Sequence, residues 1–171
     1  STNLDLWRAP ADGSSKPVNL TDDNDASDSN PVISPDGRTL AWLAMSRPMF
    51  EADRQRILLR DLASGETREV AADWDRSAGS LAFSPDGKTL YVTADHLGQH
   101  PLFAIGVADG KVRQLTQTGH VSGADVSGDT IVYAHDDLAS PVDLYRMDAE
   151  GAHVKRLTHY NRDRLDDVRM G

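Results

Sequence analysis

The sequence predicts an all-β chain, a partial β-propeller made of four-stranded antiparallel blades, with about three whole blades plus half a blade. Three observations lead there. Ser34-Pro35-Asp36-Gly37 returns fifty residues later as Ser84-Pro85-Asp86-Gly87, each copy set between short apolar stretches. Glycine turns at Gly13, Gly65, Gly110 and Gly151 recur at intervals of 41–52 residues, each between two strand-like segments. Apolar residues nowhere follow a helical period, and four short strands in 40–50 residues make the blade of a propeller.

Taken in order, residues 1–28 hold half a blade. Leu4-Asp5-Leu6-Trp7-Arg8 is followed by a turn at Asp12-Gly13 and then by Val18-Asn19-Leu20-Thr21. A blade over about 29–76 begins at Pro31-Val32-Ile33, turns at the first Ser-Pro-Asp-Gly and continues as Thr39-Leu40-Ala41-Trp42. Trp42, on this second strand, is expected in the core. In such a turn Pro presets φ, Asp bonds its own backbone, and Gly takes the positive φ that closes a hairpin. The blade ends with Ile57–Leu62, a turn at Gly65, and Thr67–Val70. A second blade over about 77–119 repeats the plan and closes on Leu115-Thr116. A third, over about 120–160, replaces the tetrapeptide with the shorter Ser127-Gly128-Asp129 and closes on Leu157-Thr158. Residues 161–171 read as a stub of the next strand. Propellers close with about four to eight blades, so this count leaves strand edges open and invites pairing with another chain.

Composition narrows the function classes. A formal charge of −9 and a pI near 5.0 argue against nucleic acid, whose phosphates need a basic footprint. No cysteine is present, which removes disulfides and thiolate metal sites. No apolar run reaches the length of a membrane span, and the N-terminus lacks the basic-then-apolar form of a signal peptide. The chain opens on Ser1 and is read as part of something longer.

The Ser-Pro-Asp-Gly hairpin and the Leu-Thr blade ending resemble the repeat shared by TolB-type propellers and propellers of the prolyl oligopeptidase family. The Gly-His…Trp-Asp signature of WD40 blades is absent. Arg47-Pro48-Met49-Phe50-Glu51-Ala52-Asp53-Arg54 resembles the Pro-x-x-Glu-Ala-Asp-Arg loop of bacterial dipeptidyl- and acylaminoacyl-peptidase-like members. Asp73-Trp74-Asp75-Arg76-Ser77 resembles their Trp-Asp-Arg-Ser stretch, and Leu157-Thr158-His159-Tyr160-Asn161 their last blade ending. The resemblance implies the C-terminal half of an N-terminal propeller. In that family an α/β-hydrolase domain with a Ser-Asp-His triad follows, and the propeller restricts access to short peptides. A periplasmic or secreted parent is implied too, with a cytoplasmic one as the alternative.

No catalytic residue is expected within the chain. The nucleophile elbow Gly-x-Ser-x-Gly is missing, and Gly119-His120-Val121-Ser122-Gly123 has the wrong spacing. No metal and no cofactor is expected either. His96 and His100 stand i, i+4 apart, but in a loop with Gly98 and Pro101, and read as solvated. Asp22-Asp23-Asn24-Asp25 lacks the glycine and glutamate of a calcium loop.

Strand alternation puts the two tight turns of each blade on one face. The longer loops, around 49–54, 73–76, 96–101, 136–141 and 161–164, fall on the other, where binding chemistry tends to sit. There Glu51 or Asp53 suits a peptide's α-amino group, and Arg54 or Arg76 a carbonyl or carboxylate. Phe50 or Trp74 suits a substrate side chain. The competing reading of Glu51, Asp53, Arg54 and Arg76 is salt bridges that fix the loops or a hydrolase interface. The expected function is therefore a gating and substrate-contacting propeller segment of a serine peptidase acting on short peptides. The alternative is a TolB-like propeller that binds protein partners.

Overall fold

The computed structural model describes residues 3–160 together with Leu165 and Val168. The strand expected over 161–171 and the loop expected over 161–164 otherwise lie outside the described residues. A two-stranded sheet pairs β1 (Trp7–Arg8) with β2 (Val18–Asn19). Three four-stranded antiparallel sheets follow, each in chain order. The first holds β3 (Asp28–Ile33), β4 (Thr39–Ala44), β5 (Arg56–Asp61) and β6 (Thr67–Val70). The second holds β7 (Ala82–Phe83), β8 (Thr89–Thr93), β9 (Leu102–Gly106) and β10 (Val112–Gln114). The third holds β11 (His120–Ser127), β12 (Thr130–Asp137), β13 (Ser140–Asp148) and β14 (Lys155–Arg156). This is an all-β, partial propeller with unclosed sheets.

The two Ser-Pro-Asp-Gly turns are built alike. The Ser34 and Ser84 hydroxyls donate to Oδ1 of Asp36 and Asp86 at 2.6 and 2.7 Å. The same hydroxyls accept the N–H of Thr39 and Thr89 at 2.8 and 3.0 Å. Each aspartate also accepts the N–H two residues on, from Arg38 or Lys88, at 3.1 Å. Gly37 and Gly87 close the turns at φ 73° and 70°. The serine hydroxyl first, and then the amide of residue 38 or 88, holds each carboxyl below its usual range. A lowered folded-state pKa adds stability that is complete above the unfolded value of about 3.9 and is lost as pH falls through the folded value. An Asp86→Asn variant keeps the acceptor oxygen without the charge. Its urea midpoint is expected to fall less than that of the wild type between about pH 5 and pH 2.

The Leu-Thr endings have an equally local cause. Oγ1 of Thr21, Thr116 and Thr158 accepts the N–H of Leu6, Leu102 and Leu144 at 3.0, 2.9 and 2.9 Å. The carbonyls of those same leucines accept the N–H of Leu20, Leu115 and Leu157. The pair thus fastens the chain at the end of a blade to its third strand segment. In the sheet β3–β6 the equivalent place is Val70-Ala71, without a hydroxyl, and Ala71 sits at φ 53°.

Packing alternates along β4 and β8, the second strands of the first two full blades. Leu40, Trp42 and Ala44 face Leu6 of the preceding half blade, whereas Ala41 and Leu43 join Ile57, Leu59, Leu90, Val92 and Ile105 in the next core. Tyr91 turns the other way, into a third core with Leu102, Val121, Ile131, Tyr133 and Met147. Both sides of these strands are therefore buried, which is why they read as continuous apolar runs. The third sheet departs from expectation at 136–141, where Asp137 pairs with Ser140 and leaves only a two-residue turn, Leu138-Ala139. Pairing of β12 with β13 resumes at Asp137 after a register shift beyond His135, which extends the hairpin and consumes the loop.

Candidate functional site

The antiparallel order sends the β3–β4, β5–β6, β7–β8 and β9–β10 turns to one face of the molecule. The β4–β5, β6–β7 and β8–β9 connections go to the opposite face. All six sequence-predicted site residues lie on that second face, but in different states.

Asp53 is turned inward. Its buried carboxylate accepts the Ser46 N–H, the Ser46 hydroxyl and the Arg47 N–H at 2.8, 3.0 and 2.8 Å, and the Arg47 Nε–H at 2.9 Å. Arg47 Nη2 completes an ion pair at 2.8 Å. These partners, led by the Ser46 amide, hold Asp53 well below the usual carboxylate range. The β4–β5 loop is therefore closed on itself by its own aspartate. It carries Met49 at a φ of 60° and stacks the Arg47 guanidinium 4.1 Å over the Phe50 ring. Glu51, next to Phe50, is exposed and bonds to nothing among the described residues. Phe50 and Glu51 together line a notch of about 240 Å³ with Leu4, Met45 and Met49.

Arg54 joins two loops. It pairs with Glu69 at 2.8 Å and donates to the carbonyls of Ala72 and Trp74 at 3.2 and 2.8 Å. Trp74 is half-buried and meets Phe103 edge-on, with centroids 5.0 Å apart. Arg76 donates from Nε and Nη2 to Nδ1 of His96 at 3.1 and 3.0 Å. Glu51 and Phe50 thus remain presented to solvent, while Asp53, Arg54 and Trp74 are held by the scaffold.

Arg76 also belongs to something the sequence did not disclose. With Asp95, His96, His100, His120 and Asp136 it lines an open cleft of about 1110 Å³ between the second and third sheets. Leu97 and Leu138 stand exposed at the tips of its two flanking turns. His100 and His120 form a parallel bridge, with His100 N–H to Gly119 O and Val121 N–H to His100 O, each at 2.9 Å. The i, i+4 spacing drew attention to His96 and His100, whereas the ring beside His100 comes from the next blade. No local pattern signals that pairing. Among the described residues, no group of three or more His, Asp or Glu is placed to hold a metal ion together. No described helix is long and apolar enough to cross a membrane.

Residues 2–168 match the TolB beta propeller domain. The chain belongs to that family. This TolB-type propeller is 30% identical over 167 residues to dipeptidyl-peptidase 5 of Porphyromonas gingivalis, covering 97% of this chain and 24% of the relative. The chain therefore spans about a quarter of that relative's length. Among solved structures it resembles the acylaminoacyl peptidase of Pyrococcus horikoshii at a TM-score of 0.75 and 19% identity. That match covers 98% of this chain and 25% of the other. It likewise resembles a TolB candidate from Agrobacterium tumefaciens at a TM-score of 0.75 and 21% identity, covering 91% and 57%. At these identities the structural likeness concerns the fold.

Proposed function

We propose that this propeller segment belongs to a serine peptidase that cleaves short peptides, of dipeptidyl- or acylaminoacyl-peptidase type. In this reading it gates access to an α/β-hydrolase domain and contributes substrate contacts without being catalytic itself. The observation that carries the reading is Glu51, a carboxylate with no partner among the described residues, displayed on a loop that Asp53 closes on itself. A preorganised carboxylate suits the α-amino group of a peptide, and Phe50 beside it suits an apolar side chain. The likeness to dipeptidyl-peptidase 5 along 97% of the chain supports the same substrate class. Arg76, whose guanidinium contacts the His96 ring nitrogen, is the remaining substrate-facing cation of the proposal. Asp53, Arg54 and Trp74 act in it by holding the loops in place.

The remaining blades would cover the exposed Val142 and Leu144 on the far side of β13, and the exposed Leu4 and Trp7 at the other end. A periplasmic or secreted setting, and oligomers through open blade edges, belong to the same proposal. In the full-length protein, Glu51→Ala is expected to raise KM for peptides with a free N-terminus by about 10- to 100-fold, the worth of one hydrogen bond to a charged group. KM for N-blocked peptides should stay close to the wild-type value. Equal losses on both would assign Glu51 to the scaffold and refute the contact.

The match of residues 2–168 to the TolB beta propeller domain leaves a second reading, a TolB-like propeller that binds protein partners. A reading frame that continues into a hydrolase with a Gly-x-Ser-x-Gly elbow supports the peptidase. One that adds only further blades supports the partner-binding module.

A further inference from the structure

The cleft between the second and third sheets contains two imidazoles prepared alike. His100 Nδ1 lies 2.7 Å from Oδ1 of Asp95, and His120 Nδ1 lies 2.9 Å from Oδ1 of Asp136. A carboxylate only accepts, so the neutral form of each ring carries its proton on Nδ1 and keeps the Nε2 lone pair for a ligand. Neither Nε2 has a hydrogen-bond partner among the described residues. The other two histidines nearby are engaged, His96 Nδ1 by Arg76 and His135 Nε2 by the Thr118 carbonyl at 2.9 Å. A carboxylate behind the far nitrogen is the arrangement that orients metal-ligating histidines and raises their basicity.

The spacing of the two rings fits the same purpose. Their centroids are 5.0 Å apart and their planes are inclined at 45°. Two imidazoles on one tetrahedral ion, with metal–nitrogen bonds of about 2.0–2.1 Å, have centres about 5 Å apart. The backbone on both sides is pinned by the bridge between His100 and His120, so the pair is fixed before any ion arrives. The cleft, at about 1110 Å³, leaves room for water to fill the remaining positions, and Asp137 also lines it.

We propose that His100 and His120 form a two-histidine site for a divalent transition-metal ion, Zn²⁺ or Cu²⁺, that fastens the second sheet to the third. Asp95 and Asp136 are its positioning residues. An imidazole–carboxylate–water donor set favours Zn²⁺ and Cu²⁺ over Mg²⁺ and Ca²⁺, and Cu²⁺ is expected to bind more tightly than Zn²⁺. The pairing is His100 with His120, not the i, i+4 pair His96 and His100 that the spacing suggests.

The test is calorimetric titration of the full chain with ZnCl₂ and with CuSO₄, with the thermal midpoint followed in parallel. One ion per chain and a raised midpoint are expected. His100→Ala and His120→Ala should each abolish both effects, with circular dichroism confirming that each variant is folded. Asp136→Asn should weaken binding by about 10- to 100-fold. His153 supplies the control, because it is also backed by a carboxylate, Asp148 at 2.6 Å, but is exposed and stacks on no second imidazole among the described residues. His153→Ala should bind as the wild type does. No saturable binding, several weak ions per chain, or binding that survives the loss of His100 or His120 would each overturn the site.

Discussion

Replacing Trp42 by alanine is expected to destabilise the protein by about 3–5 kcal/mol, the usual cost of truncating a buried large aromatic. Trp42 is 3% exposed and packs with Leu40, Ala44 and Leu6 where the half blade meets the first full blade. Its indole Nε1–H also donates to Oδ1 of the buried Asp28 at 2.6 Å. Two losses therefore coincide, a cavity and a buried carboxylate deprived of a donor. Trp42→Phe separates them, because it keeps most of the ring volume and removes only the donor, at a cost of about 1–3 kcal/mol. Burial raises the Asp28 pKa, and the bonds from Trp42 and Asn24 act in the opposite direction. Removing the indole donor raises it further. A raised carboxyl pKa in the folded state means that acidification towards it relieves the buried charge. The Trp42→Phe penalty should accordingly be larger at neutral pH than near the Asp28 pKa. Urea unfolding followed by far-ultraviolet circular dichroism at the two pH values measures this. A penalty independent of pH would show that Asp28 does not depend on the indole.

The architecture was legible because its signals are local. Ser34 and Asp36 satisfy one another within a turn, and Ser84 and Asp86 repeat the same bonds. A residue pattern of that kind can be read without knowing where the rest of the chain goes. The Leu-Thr pairs are legible for a related reason, since Thr116 and Leu102 meet within one blade. The site was legible only in part. The loop 47–54 stood out in sequence, yet Glu51 and Asp53 looked interchangeable there. Only the fold turns Asp53 back onto Ser46 and Arg47 and leaves Glu51 facing out. The pairing of His100 with His120 was not legible at all. It depends on how one blade stacks on the next, and no periodicity within a blade encodes that.

The sharpest test of that stacking is Gly119, which lies between the two histidine-bearing segments. It sits at φ 79°, where a side chain costs about 1–2 kcal/mol. A Cβ there would lie 2.5 Å from the carbonyl oxygen of Asp136 and closer still to the His135 ring. A carbonyl held in the β11–β12 hairpin cannot step aside as the end of a flexible side chain can, so an overpacking cost of about 1–3 kcal/mol adds to the first. Gly119→Ala is therefore expected to lose about 2–5 kcal/mol in urea unfolding. Gly98 makes the control, with φ 76° and nothing within 4 Å of its own added Cβ. Gly98→Ala should carry only the backbone cost, about 1–2 kcal/mol. The Gly119 carbonyl accepts the His100 N–H at 2.9 Å, and its neighbour is His120, so a displaced Gly119 also pulls the two rings apart. Gly119→Ala should then lose Zn²⁺ binding as well as stability, whereas Gly98→Ala keeps the ion. Equal unfolding costs for the two variants would mean that the floor of the cleft yields, and that the blades are less tightly fixed there than the bridge requires.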